Sequence, residues 1–179
     1  ILVTLVDSST LKKSSGWWWG QSLNCPKSPV NLSVGTAPPS VGVVPHSGTA
    51  NCPSCVALQG VPVKSVGEGC AASAGVNTCQ VEADLALRLQ SLTNNLNSSG
   101  LDSNQWQVSE AWPPTRSHSD PCHASGTCVD VSLKGDNSLE NIKKVYTAAN
   151  NSGLTAQYEV ANKERETQLR NQGITNALY

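Results

Sequence analysis

The clearest pattern along the chain is a leucine stripe. Leu85, Leu89, Leu92 and Leu96 recur at steps of three and four, with Glu82, Asp84 and Arg88 supplying a polar face. That period fits 3.6 residues per turn and predicts an amphipathic helix over 80–98, ended by Ser98-Ser99-Gly100. Trp106-Gln-Val-Ser-Glu110 switches to a period of two and predicts a strand, which Pro113-Pro114 keeps from continuing. Val129-Asp-Val-Ser-Leu133 alternates again and reads as a second strand. Ser138–Asn150 predicts another helix, with Leu139, Ile142, Val145 and Tyr146 on one face and Gly153 placed as its C-terminal cap. Leu154–Val160 follows as a strand containing Glu159, and Lys163–Gln172 as a charged helix stopped by Gly173.

The pattern upstream is different. Residues 7–65 are rich in Ser, Gly, Pro and Val and nearly uncharged. Val30-Asn-Leu-Ser-Val34 and Val41-Gly-Val-Val44 stand between Pro and Gly breaks, which predicts short strands, loops or an extended arm rather than helices. The expected division is therefore a mostly non-helical N-terminal arm, 1–65, and a domain, 66–179. Ile1-Leu-Val-Thr-Leu-Val6 is far shorter than the ~20 residues that span a bilayer. It fits the stub of a removed signal or membrane segment, a strand of the mature protein, or a packing segment in an assembly. Three adjacent indoles, Trp17-Trp18-Trp19, cannot all face one core from an extended chain. They meet a partner, a membrane interface or a glycan, or they fold back on their own domain.

Charge excludes two classes of partner. With 12 basic and 13 acidic residues among 179 there is no basic patch for nucleic acid and no polybasic membrane anchor. Sparse charge with abundant Ser, Asn, Thr and Gly suits an exported, extracellular or cell-surface protein. The absence of Met implies a processed chain or a partial sequence, and the absence of Phe leaves the core to Val, Leu, Ile, Ala and Trp.

Seven cysteines sharpen the compartment: Cys25, Cys52, Cys55, Cys70, Cys79, Cys122 and Cys128. One Cys-x-x-Cys pair is too few for a zinc ribbon, and no His follows Cys55 as covalent haem attachment would require. The motif lies in a Ser/Gly/Pro stretch rather than at a strand-to-helix junction, which argues against thioredoxin-like chemistry. Disulfides in an oxidising compartment remain, with the local pairs Cys52–Cys55, Cys70–Cys79 and Cys122–Cys128 expected and Cys25 left odd.

The candidate chemistry lies in His123-Ala-Ser-Gly-Thr-Cys-Val-Asp130. A turn at Gly126 would fold His123 back beside Asp130, offering one nitrogen and one oxygen to a zinc ion. A catalytic zinc takes three protein ligands, however, and no histidine follows Asp130. The plain alternative is a pair of surface polar residues flanking a glycine turn.

Three motifs in order resemble the Hedgehog/D-Ala-D-Ala peptidase family over about the C-terminal half. They are Ser109-Glu110-Ala-Trp112, the His123/Gly126/Asp130 set, and Gly153-Leu-Thr-Ala-Gln-Tyr158-Glu159. The resemblance implies an α+β fold, a small antiparallel sheet with helices packed on it. It implies zinc as cofactor, His123 and Asp130 as two of its ligands, and Glu159 as general base. It also implies a secreted, cell-wall-directed peptidase, with peptidoglycan or a peptide as substrate. Arg116, in the loop before the motif, is the candidate to hold a substrate carboxylate. Departures are equally plain. Residues 160–179 contain no His, Pro121 stands where the family often has Ser, and Pro113-Pro-Thr115 replaces most of a calcium-binding acidic cluster, leaving Glu110. The metal site is then degenerate or truncated, or His118 substitutes from upstream. The alternative is a non-catalytic extracellular protein reusing the fold as a surface or filament subunit or a wall-binding module, self-assembling through the N-terminal arm.

Overall fold

A computed structural model describes residues 2–7, 52–64, 79–114 and 121–179. Among them the strands are β1 (Leu2–Asp7), β2 (Cys55–Ala57), β3 (Gln80–Glu82), β4 (Trp106–Glu110), β5 (Cys128–Leu133), β6 (Leu154–Glu159) and β7 (Ala177–Leu178). The helices are α1 (Ala83–Ser98), α2 (Cys122–Ser125), α3 (Leu139–Asn151) and α4 (Lys163–Asn171).

Five strands form one sheet in the order β4-β5-β1-β6-β7, and β2 pairs with β3 in a second, two-stranded sheet. The expected antiparallel sheet is corrected to a mixed one. β4, β5, β1 and β6 are antiparallel to their neighbours, but β7 returns through α4 and joins β6 in parallel. A two-residue strand reached through a helix can take either direction, and no alternation in so short a segment announces it.

The N-terminal hexapeptide is the middle strand of this sheet, hydrogen-bonded to β5 on one side and β6 on the other. Of the readings open from sequence, the strand is the one realised. It alternates: Val3 and Leu5 enter the core with Val129 and Val131 of β5 and Ala156 and Tyr158 of β6, while Thr4 and Val6 face the opposite side. Residues 52–64 join the same core through Leu58 and Val61, and Lys64 and Val108 bond along the outer edge of β4. The hydrophobic core thus draws on both sides of residue 65.

The leucine stripe is buried as its period requires, with Leu85, Leu89, Leu92 and Leu96 of α1 all in the core beside Ile142, Val145 and Ala149 of α3. The helix begins at Ala83 rather than residue 80, because Gln80–Glu82 are drawn into pairing with Cys55–Ala57. Ser138 caps α3 by accepting from the Asn141 N–H, and Asn162 caps α4 through the Arg165 N–H. Arg88 fastens α1 to the sheet: its Nε donates to Asp7 Oδ2 at 3.1 Å and its Nη1 to the Gly153 carbonyl at 3.1 Å. Among the described residues no helix is long and apolar enough to cross a membrane.

Candidate metal site on the polar face of the sheet

The face of the sheet opposite α1 and α3 carries a polar row. Register places Asp130 of β5, Thr4 of β1 and Gln157 of β6 side by side, and Glu110 of β4 opposite Asp130 across a bulge. Asp130 and Glu110 are nonetheless buried. Thr4 Oγ1 donates to Asp130 Oδ1 at 2.7 Å, and Ser109 Oγ donates to the Asp130 carbonyl at 3.2 Å.

His123 reaches the same carboxylate from α2. This single turn ends at Gly126, where the sequence predicts a tight turn; the glycine has φ +71° and caps the helix in the left-handed conformation. Thr127 N–H donates to the Cys122 carbonyl at 3.0 Å, and the Cys122–Cys128 disulfide closes the turn with its Cα atoms 5.3 Å apart. A loop this short gives the disulfide an entropic worth of about 2 kcal/mol. The reversal brings His123 Nε2 to 3.4 Å from Asp130 Oδ1, with both side chains at most 5% exposed. Glycine is required at 126 on steric grounds too, since a Cβ there would lie 2.3 Å from Cys55 Sγ and 2.9 Å from Cys52 Sγ. The Cys52–Cys55 disulfide therefore packs directly on the turn.

His123 and Asp130 stand at ion-pair distance, a separation that two ligands on one zinc would also have. Two ligands about 2.0–2.1 Å from one ion at a tetrahedral angle stand about 3.4 Å apart, which is the observed nitrogen–oxygen separation. Thr4 would serve as the outer hydrogen bond that orients a ligating carboxylate. A third donor is harder to find. Among the described residues one group of three could hold an ion, Cys122, His123 and Cys128, with ligand atoms within 4.8 Å of one another. Its two sulfurs are bonded to each other.

Glu159 is placed apart. It is exposed at the end of β6, on the same face by strand parity but in the Leu2 row, whereas Asp130 lies in the Thr4 row. Two strand spacings and two residues put its Cα about 12 Å from that of Asp130. No hydrogen bond or ion pair joins it to His123 or Asp130. Its neighbour Tyr158 points the other way, into the core, where burial and nearby Tyr146 push its phenol well above the ordinary value. The neutral hydroxyl donates to the Ile142 carbonyl at 3.3 Å.

Arg116, His118, Cys25, Cys70 and the tryptophan triplet lie outside the described residues. Cys79 is disulfide-bonded, as expected, while its expected partner Cys70 is among those outside. Thr4 is the residue sequence reading missed. A lone hydroxyl in the apolar run Leu2-Val-Thr-Leu-Val6 was the available signal. Neither a family model, nor a curated protein, nor a solved structure matches the chain.

Proposed function

We propose that the chain is a secreted, zinc-peptidase-like protein of the cell-wall-directed type, with a metal site only partly built from the described residues. The observation that carries this reading is the buried His123 Nε2–Asp130 Oδ1 separation of 3.4 Å, the spacing of two ligands on one zinc. In this reading His123 and Asp130 hold the ion, Thr4 orients the Asp130 carboxylate, and the Cys122–Cys128 bridge fixes the imidazole. Zinc, when bound, polarises a scissile carbonyl and makes its water acidic enough to attack near neutral pH. Glu159 would be the general base toward that water and the acid toward the leaving amine, and Arg116, outside the described residues, would hold the substrate carboxylate. Reaching the ion from the Leu2 row requires Glu159 to act across the polar face through water.

A second reading has its own support. The sulfurs nearest His123 are tied up in a disulfide, and Glu159 stands about 12 Å away along the sheet. These features suit a non-catalytic extracellular structural or wall-binding protein built on the same scaffold. With Leu2–Asp7 consumed inside its own sheet, self-association would have to use other parts of the arm.

Metal analysis of the oxidised protein, run beside hydrolysis of an acyl-D-Ala-D-Ala peptide, separates the two. The peptidase-like reading expects zinc that depends on His123 and Asp130, and any turnover lost in Glu159→Ala. Zinc uptake unchanged in His123→Asn would leave the structural reading standing.

A further inference from the structure

We propose that Cys122, His123 and Cys128 form a redox-gated zinc site, closed while the two cysteines are a disulfide and open when they are reduced. This goes beyond the peptidase-like reading and does not depend on it, because the metal here sits on sulfur. The three ligand atoms already lie within 4.8 Å of one another, and all three residues are buried. Two thiolates and an imidazole are the donor set zinc prefers. In a tetrahedral site with zinc–sulfur bonds of about 2.3 Å the sulfurs stand about 3.8 Å apart. Opening an ordinary disulfide bond of about 2.0 Å to that separation moves each sulfur by about 0.9 Å, within reach of side-chain rotation on a backbone whose two Cα atoms stand 5.3 Å apart.

Asp130 completes the design from the other side of the ring. In the reduced state Nε2 keeps its 3.4 Å contact with the Asp130 carboxylate and we assign Nδ1 to the metal, so this site and the Nε2–Asp130 zinc pair of the oxidised protein are alternatives for one imidazole. The carboxylate then holds the second ring nitrogen in the way that orients zinc-bound histidines. Asp130 is a positioning residue in this site, and the fourth position on the ion is left to water.

The redox step balances with a dithiol as reductant. One thiolate of the dithiol attacks the Sγ of Cys122, the less deeply buried of the two residues, and Cys128 leaves as thiolate. The second thiol of the reductant resolves the mixed disulfide and releases Cys122, so two electrons pass to the protein and the reductant leaves as a disulfide. Zinc then binds the two thiolates in place of their protons. Oxidation by a disulfide acceptor reverses the sequence and expels the ion.

The test uses the full chain with cobalt(II) as a spectroscopic stand-in for zinc, before and after treatment with a phosphine reductant. A phosphine reduces a disulfide with one water and departs as its oxide, leaving no thiol to compete for metal. The reduced protein should bind one cobalt with an intense sulfur-to-metal band in the near ultraviolet, and the oxidised protein should show none. His123→Asn, which keeps both thiols, should weaken binding at least about tenfold, and Asp130→Asn about 10–100-fold. The paired change Cys52→Ser/Cys55→Ser should leave the band intact, while Cys122→Ser/Cys128→Ser should abolish it. A disulfide that resists the reductant in the folded protein overturns the proposal. So does a reduced protein with titratable thiols and no band, or a band that survives Cys122→Ser/Cys128→Ser. Zinc missing from the oxidised protein counts against the peptidase-like reading alone, and a missing cobalt–sulfur band counts against this site alone.

Discussion

Replacing Thr4 by Val removes one hydroxyl from the centre of the sheet and little else. The two side chains are nearly isosteric, and valine suits a strand at least as well as threonine. What is lost is the 2.7 Å hydrogen bond to Asp130 Oδ1, an acceptor that is 3% exposed and has little water to replace it. Hydrogen bonds to charged groups contribute about 1.5–3 kcal/mol. Allowing a few tenths back for better strand propensity, Thr4→Val should cost about 1–2.5 kcal/mol. For a chain of this length that lowers the melting temperature by roughly 2–10 °C. If Asp130 is a metal ligand, loss of its outer hydrogen bond should also weaken zinc binding about 10–100-fold. Urea unfolding and zinc titration of the wild type, Thr4→Val, Asp130→Asn and the double variant supply both numbers. The Thr4→Val cost should shrink in the Asp130→Asn background, since the two residues share one interaction. Stability within 0.5 kcal/mol of wild type, with unaltered zinc affinity, would refute the claim that the N-terminal strand braces the site.

Gly126→Ala should cost about 2–4 kcal/mol, combining a left-handed backbone with a methyl group driven into Cys55 Sγ, and thermal unfolding measures it. Glu159→Ala, at an exposed strand end, should change stability by less than about 0.5 kcal/mol, so any loss of peptide hydrolysis reports chemistry and not folding. Glu166 is held below the ordinary carboxylate range, first by its hydrogen bond from Lys163 and then by Arg170, against the opposing effect of burial. Its lowered folded value means the stabilisation is present above the unfolded pKa and is lost as pH falls through the folded one. Because Arg170 also donates to the Ala177 carbonyl at 2.8 Å, hydrogen exchange in β7 should accelerate in that acidic window, and Glu166→Gln should remove the pH dependence.

The sequence disclosed what local periodicity can encode. The leucine stripe, the two capped helices and the strands at 106–110, 128–133 and 154–159 are near their expected bounds, because each buries one face of a regular repeat. It also disclosed the His123–Asp130 encounter, since Gly126 and two flanking cysteines prescribe a reversal within eight residues. Long-range pairing was less legible. Nothing in Leu2–Asp7 says that it lies between β5 and β6, which are more than 120 residues away, and so the Thr4–Asp130 bond could not be anticipated. The short β7 escaped for the same reason. Glu159 shows the limit of motif reasoning: alternation fixes which face it takes, but its row on that face is set by register with β1, and that register puts it beside Leu2 and away from Asp130.

Zinc titration of the oxidised chain, followed by calorimetry, bears most directly on the central claim that His123 and Asp130 are a metal-binding pair. Four-ligand structural sites bind with about 10–16 kcal/mol, so two protein ligands should retain roughly half, a dissociation constant between about 1 and 200 μM. One such site is expected in the wild type, abolished by His123→Asn and by Asp130→Asn, with the fold intact by circular dichroism. Identical heats in the wild type and in both folded variants would contradict it.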